Sequence, residues 1–454
     1  MPQIHRRSLT SVAMLGAVVA LAGCSSASPP VDSASPVSSA ESRPVTITFW
    51  HESTGAAASA MATLVDKFNA EHKGRITVDA SFQGSYADAQ IKYTAAVQSQ
   101  STPSIMAMND TSTGFMIDSK QTVPIHTFAD ADKSFHPKDI PASVRAYYSD
   151  SKGLLSMPYA VSQPMLYINP TIAEQAGLDP SHPPKTLDQV ATWAQQIKDK
   201  TGAYGFSMNM VDSWILEELS ANGGQVFCTP DNGRSNKQAT GISMTSTTQT
   251  AFLSTLQRLF QNGTALNPGT NSSNMTSAFT SGKVGMLLTS SAAYTVLKPT
   301  EDAKVDVVHF PTTSNSKDAG VVIGGASLWI DGPGHSTAEQ QATYQFAKFL
   351  ISPANQAYWA HATGFLASNN KARSEPEGKA TLADPNMATM YKQLDGNPTS
   401  TAASGCRMGP YAAVRTIVIG AFNKVIAGGD MKAEMKTAEQ QAKAQIAEYN
   451  SAAK

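Results

Sequence analysis

The residues able to do chemistry sit in short polar loops: "HESTG" (51–55), "QGSY" (83–86), "NDTSTG" (109–114), "TSSAAY" (289–294) and "IGG" (323–325). Hydroxyls, glycine backbone N–H groups and one arginine in such loops can together hold a small anion. Any one of these loops alone reads as ordinary turn chemistry. Their shared placement, each at or after a buried strand, is what makes them a set, because open α/β sheets bind ligands beyond their strand ends. Covalent and metal chemistry find no such support. The nine histidines are scattered, with no H-E-x-x-H pair, and no G-x-x-x-x-G-K-[ST] phosphate loop occurs. "GGASLW" (324–329) lacks the spacing of a G-x-S-x-G nucleophile elbow. A binding protein is therefore expected rather than an enzyme, with no cofactor and no metal.

Elements must carry these loops. "VTITFW" alternates, with Val45, Ile47 and Phe49 on one side, as a half-buried strand does. Met61, Leu64, Val65 and Phe68 then recur at helical spacing. "ITVDASF" returns as a strand, "YADAQIKYTAAVQSQ" as a helix, and "SIMAM" (104–108) as a short buried strand. Alternation of this kind signals an α/β layer with a mostly parallel sheet. "LLSMPYAVSQPMLYIN" breaks the pattern, its prolines marking passage from one sheet to another. Further helices follow at 187–200, capped at Thr186, at 252–261 with Gly263 beyond, at 337–351, capped at Ser336, and from 431 onward. "VGMLL" (284–288) is a buried strand, "GVVIGGASLWI" reads as strand, glycine break, strand, and 225–250 as an irregular surface excursion.

The front of the chain sets the compartment. Arg6 and Arg7 precede an apolar run at 12–22, shorter than the ~20 residues that span a bilayer. A basic start, a short apolar stretch and small residues make a secretory signal. "LAGC" (21–24) resembles the bacterial lipobox, which implies a diacylglyceryl group on Cys24; residues 25–42, rich in Ser, Pro and Ala, make a tether. Exported, lipid-anchored protein at the outer face of the cell membrane is the expectation. Lys and Arg total 34 against 35 Asp and Glu, with no basic stripe, which argues against nucleic acid. The membrane is reached through the anchor only. Cys228 and Cys406 remain; outside the cell they are expected to pair, two separate buried thiols being the alternative.

Eight segments together carry a resemblance: "ITFW", "AMATLVDKFNAEH", "AYYSDSKGLLSMPY", "PMLYIN", "AGLDPSHPPKT", "VIGGASLWI", "TGFL" and "RMGPYAAVRTIV", in order from about 45 to 440. The chain resembles the family 1 extracellular solute-binding proteins of ABC importers, in the subfamily that takes sn-glycerol 3-phosphate. The resemblance implies an α/β, two-lobe periplasmic-binding-protein fold, type II-like, hinged, with ligand in the interlobe cleft. Expected boundaries are 1–23 signal, 24–43 tether, 44–160 and 301–351 first lobe, 161–300 and 352–454 second lobe. It implies that Tyr86 bonds the glycerol part, that Ser162, Ser290 and the Gly325 N–H meet the phosphate, and that Arg415 pairs with it. Three positions depart from the subfamily. Asp110 replaces a glutamate at the glycerol hydroxyls, Met210 replaces a stacking tryptophan that Trp214 one turn on only partly replaces, and Phe365 replaces a tyrosine. A glycerophosphodiester, glycerophosphocholine in particular, is accordingly expected ahead of the monoester. An oligosaccharide is the alternative. Partners implied are the permease's transmembrane subunits with a cytoplasmic ATPase, the receptor itself being a monomer.

Overall fold

The computed structural model describes residues 44–453 except 236, 299, 301, 314 and 315. The expected signal segment, Cys24 and the tether lie outside these described residues.

In chain order the strands are β1 (Val45–His51), β2 (Ile76–Phe82), β3 (Ile105–Asn109), β4 (Thr122–Val123), β5 (Met157–Ser162), β6 (Pro164–Ile168), β7 (Tyr204–Met208), β8 (Cys228–Thr229), β9 (Gly241–Ile242), β10 (Ala265–Leu266), β11 (Val284–Ser290), β12 (Asp306–Val308) and β13 (Gly324–Asp331). One sheet runs β2-β1-β3-β13-β4 with β5 on β13; a second runs β10-β7-β11-β6-β12. β1 pairs parallel with β2 and β3, while β13 comes back antiparallel to β3, β4 and β5. Each sheet is the floor of one lobe.

Sequence pattern explains the placement. In β1, Ile47 and Phe49 are fully buried while Thr46 and Thr48 face out. Central β3 is covered on both sides, so its residues form a continuous apolar run rather than an alternation. Ile105 and Ala107 join one core, and Met106 and Met108 pack with Trp329 on the other face. β6 divides likewise: Met165 and Tyr167 serve one core, Leu166 and Ile168 the other. Helix Leu187–Thr201 starts where Thr186 Oγ1 accepts from the Gln189 N–H and the Gln189 side chain returns the bond. Helix Thr337–Leu350 is capped by Ser336. Among the described residues no helix is long and apolar enough to cross a membrane.

The lobes are linked at Gln163 between β5 and β6, between β12 and β13, and by the loop from Gly396 to Tyr411. Several expectations change here. β12 pairs with β6, so part of 301–351 belongs to the second sheet. Helix Pro353–Thr363 packs on the first lobe, not the second: Lys67 Nζ donates to Asn355 Oδ1 at 2.9 Å, and Trp359 lies 5.5 Å from Tyr159. Its apolar face, built around Trp359, needed the first core for cover. Residues 321–323 are buried but form no strand before the glycines. The Val322 N–H donates to Glu218, and Val321 exchanges two bonds with the Asn397 side chain, so side chains replace the ladder. Residues 225–250 reach the surface at Thr229, Asp231, Lys237 and Gln238 but are anchored in the interior as well. Phe227, Asn232, Ala239, Ile242 and Met244 are buried, and Cys228 is joined to Cys406 by a disulfide.

Candidate ligand-binding site

The loops of interest converge where the two lobes meet. Glu52 follows β1, Tyr86 opens the helix after β2, and Asp110 follows β3; Ser162 and Ser290 end β5 and β11. Antiparallel β13 brings its first residues to the same end, with Gly324 opposite Ser162 and Gly325 opposite Val161. Arg415 enters from the second lobe, on the buried face of helix Tyr411–Ile426.

Arg415 and Asp110 therefore share one site, with 3.7 Å between guanidinium and carboxylate across the lobe boundary. Both are more than nine-tenths buried. The arginine is not free, however. Its Nε and Nη2 form a fork onto Glu217 at 2.7 and 2.8 Å, and its Nη1 reaches Asp212 at 3.3 Å. Tyr411 donates to Glu217 at 2.7 Å and lays its ring under the guanidinium. One cation thus faces three carboxylates. Burial pushes Asp110 up to about 6, Arg415 opposing the shift and Asp212 and Glu217 adding to it. Burial alone would weaken the hold of Arg415 on its proton, but Glu217 and Asp212 more than offset it, so the guanidinium stays charged.

A second group surrounds Glu52. Burial raises its carboxyl from 4.5 to about 7, opposed by the Tyr86 and Tyr159 hydroxyls; Tyr159 donates to Oε1 at 3.2 Å. Tyr147 joins the groups by donating to the Asp110 carbonyl at 3.0 Å. Around them, Trp214 Nε1 and Glu218 Oε1 are buried and lack a hydrogen-bond partner among the described residues. Burying an unpaired polar group costs roughly 1–3 kcal/mol. Two of them beside one cleft are what a polar ligand would satisfy.

The remaining expected residues divide. Ser162 and Trp214 meet at Gly324, where a side-chain carbon would lie 2.9 Å from Ser162 Oγ and 3.1 Å from the indole. Gly325 takes φ +120°, and a Cβ there would stand 2.0 Å from the Ala160 carbonyl oxygen, so only glycine fits. Leu366 bridges Val161 from the other side, which brings Phe365 beside this strand end, its ring stacked on Trp359. Ser290 Oγ accepts from the Ala292 N–H, leaving its hydroxyl hydrogen to donate. Met210 is 1% exposed within the second core. Asp212, Glu217, Glu218, Tyr147, Tyr148 and Tyr159 were not expected. One signal was present: "WILEELSAN" places two adjacent glutamates in an otherwise apolar helix, and every residue of that helix is buried.

The chain is similar to known proteins. The chain is 28% identical over 379 residues to the sn-glycerol-3-phosphate-binding periplasmic protein UgpB of Pectobacterium atrosepticum, covering 82% of this chain and 84% of that protein. To UgpB of Escherichia coli (strain K12) it is 29% identical over 380 residues, 82% and 86% of the two lengths. In fold it is similar to UgpB from Mycobacterium tuberculosis in complex with glycerophosphocholine, with TM-score 0.73, 18% identity, and 89% and 99% of the chains covered. The sugar-binding protein MalE from Xanthomonas citri aligns comparably, with TM-score 0.74, 18% identity, and 89% and 98% covered. The profile of the bacterial extracellular solute-binding proteins matches residues 63–389. This chain belongs to that family.

Proposed function

We propose that this protein is the substrate-binding component of an ABC importer, lipid-anchored at Cys24, and that it captures a glycerophosphodiester with a cationic head group ahead of sn-glycerol 3-phosphate. The names of the relatives support the glycerophosphate class, and the glycerophosphocholine complex of a protein with the same fold supports the diester. The observation that carries the choice is the charge balance: Arg415 is committed to Glu217, with Asp212 and Asp110 beside it. A phosphomonoester, with a second pKa of about 6, brings nearly two negative charges at neutral pH. A choline diester brings one and supplies its own cation. Quaternary ammonium groups are held by aromatic faces, and Tyr148 and Trp214 furnish them, Tyr411 and Tyr147 already carrying the Arg415 and Arg234 guanidiniums.

In this reading Asp110 and Tyr86 take the glycerol hydroxyls, while Ser162, Ser290 and the Gly325 N–H take the phosphate. Arg415 holds Glu217 and Asp212 in place and offers its remaining edge to the ligand. Met210 and Phe365 leave the room that a head group needs. The protein acts as a monomer, hands its ligand to membrane-spanning permease subunits driven by a cytoplasmic ATPase, and turns nothing over.

Calorimetric titration of the unacylated domain with glycerophosphocholine, sn-glycerol 3-phosphate and maltose tests the choice. Glycerophosphocholine should bind at least tenfold more tightly than the monoester, and maltose not at all. Tighter binding of the monoester would overturn the head-group claim. The second reading, an oligosaccharide receptor, is favoured by the close fold match to sugar-binding proteins; binding of maltose alone would establish it. Choline release from glycerophosphocholine should stay at background.

A further inference from the structure

Beside the ligand site, two arginines stand without a salt-bridged carboxylate among the described residues, Asp150 acting on Arg407 only from farther off. Arg234 gives Nε to the Gly405 carbonyl at 2.7 Å, Nη1 to the Tyr147 and Ala146 carbonyls at 3.0 and 3.3 Å, and Nη2 to the Ser404 carbonyl. Arg407 gives Nη1 to the Ser149 carbonyl at 3.3 Å. Neither forms an ion pair with a carboxylate among the described residues. They also repel each other: burial and then Arg407 pull Arg234 down to about 9, and burial lowers Arg407, with Tyr147 and Asp150 opposing the shift.

Both line a cavity of about 280 Å³ together with Lys237, Ser151, Asp118 and Asp150. At about 30 Å³ per water in the liquid, that is room for an oxyanion and several waters. The two carboxylates are occupied. Asp150 Oδ1 accepts from the Lys152 and Gly153 N–H groups, and Asp118 is bonded to Gln238 and Tyr449, with burial raising its pKa. The cationic side is left in surplus.

The local fold holds the two guanidiniums together. The Cys228–Cys406 disulfide fastens the segments that carry them, the Arg407 N–H donates to the Asn232 carbonyl at 2.8 Å, and a Cβ at Gly233 would lie 2.0 Å from the Arg407 carbonyl oxygen. Keeping two like charges close and half-buried is costly unless something of opposite charge joins them.

We propose that this cavity is an oxyanion site in which Arg407, Arg234 and Lys237 take a phosphate group, either inorganic phosphate or the phosphate of an esterified small molecule. Guanidinium–phosphate bonds are charge-assisted and bidentate, the strong kind. The walls come from both lobes, Ser151 from the first and Arg407 and Lys237 from the second, so an occupant ties the lobes together. This site stands independently of the ligand assigned to the cleft.

The test uses the unacylated chain in low-salt buffer free of other oxyanions, with inorganic phosphate as probe, by thermal unfolding and calorimetry. Phosphate should raise the melting temperature saturably, and its affinity should fall at least tenfold in Arg407→Gln. Arg234 makes four carbonyl bonds and is left intact. Should Arg407→Gln fail to fold, exposed Lys237→Gln carries the test, with a loss of about threefold. Glycerophosphocholine binding in the cleft should be retained in the variant, and its loss together with phosphate binding would overturn the site's independence of the cleft. The proposal is overturned if phosphate has no saturable effect on the parent protein, or if its affinity is the same in the parent and the variant.

Discussion

At Arg415 the geometry adds a partner that its sequence context does not imply. The resemblance points to a bond with phosphate, whereas Glu217, 1% exposed, takes the fork. Removing one partner of a buried pair strands the other charge, at a cost of about 3–5 kcal/mol. Arg415→Met should therefore lower stability by that order even without ligand, as read by urea unfolding. A loss under 1 kcal/mol would show that Glu217 simply protonates. Glu52 makes a pH-dependent prediction. Its carboxyl binds a proton more tightly folded (about 7) than unfolded (4.5), so its contribution is fully present below about pH 4.5 and lost as pH rises through 7. Glu52→Gln should thus stabilise the protein at pH 8 by on the order of 3 kcal/mol and do nothing at pH 4, as measured by unfolding at both. A gain at pH 4 equal to that at pH 8 would contradict the account. Asp110, Ser162 and Gly325 were implied by the family resemblance. Glu52, Asp212 and Glu217 could not, because an acidic residue in a loop or helix looks solvated until the chain folds over it.

Among the elements, the glycine pair at the start of β13 fixes how β5 and β13 meet. Gly325→Ala would force a Cβ against backbone that cannot rotate away, and should cost about 3 kcal/mol or more. Gly334→Ala, at φ +82° with open space around it, should cost only about 1 kcal/mol. Equal losses, compared by chemical unfolding, would mean that the close approach is unimportant. The disulfide closes a separation of 178 residues, worth about 5 kcal/mol in the chain-entropy picture. Reduction should lower the melting temperature by many degrees; an unchanged transition would show the bridge to be idle. Periodicity made β1 and the helices that begin at 55, 86, 187, 247, 337 and 431 legible, and buried apolar runs did so for β3 and β11. Periodicity failed at 321–323, where buried backbone is satisfied by the Glu218 and Asn397 side chains, and at 225–250, where the Asn232 side chain supplements the two-residue ladder of β8 and β9. Such long-range substitution leaves no periodic trace.

For the molecule as a whole, two sheets and their linkers place the lobe-one acid and the lobe-two arginine in one cleft. The existence of two lobes was legible from the proline-marked passage at 158–164. The allocation of later segments was not, since β12 and helix Pro353–Thr363 each cover a core formed by residues far away in sequence. Cys24→Ala should release the protein from membranes into the soluble fraction, scored by immunoblot; retention would argue against the anchor. The charge balance of the cleft is tested most directly by calorimetric affinities of glycerophosphocholine and sn-glycerol 3-phosphate between pH 5 and pH 8. Asp110 ionises near 6, so more negative charge gathers as pH rises. Glycerophosphocholine should bind more tightly through that interval and the monoester more weakly. A monoester affinity that climbs with pH and exceeds that of the choline ester would contradict the account.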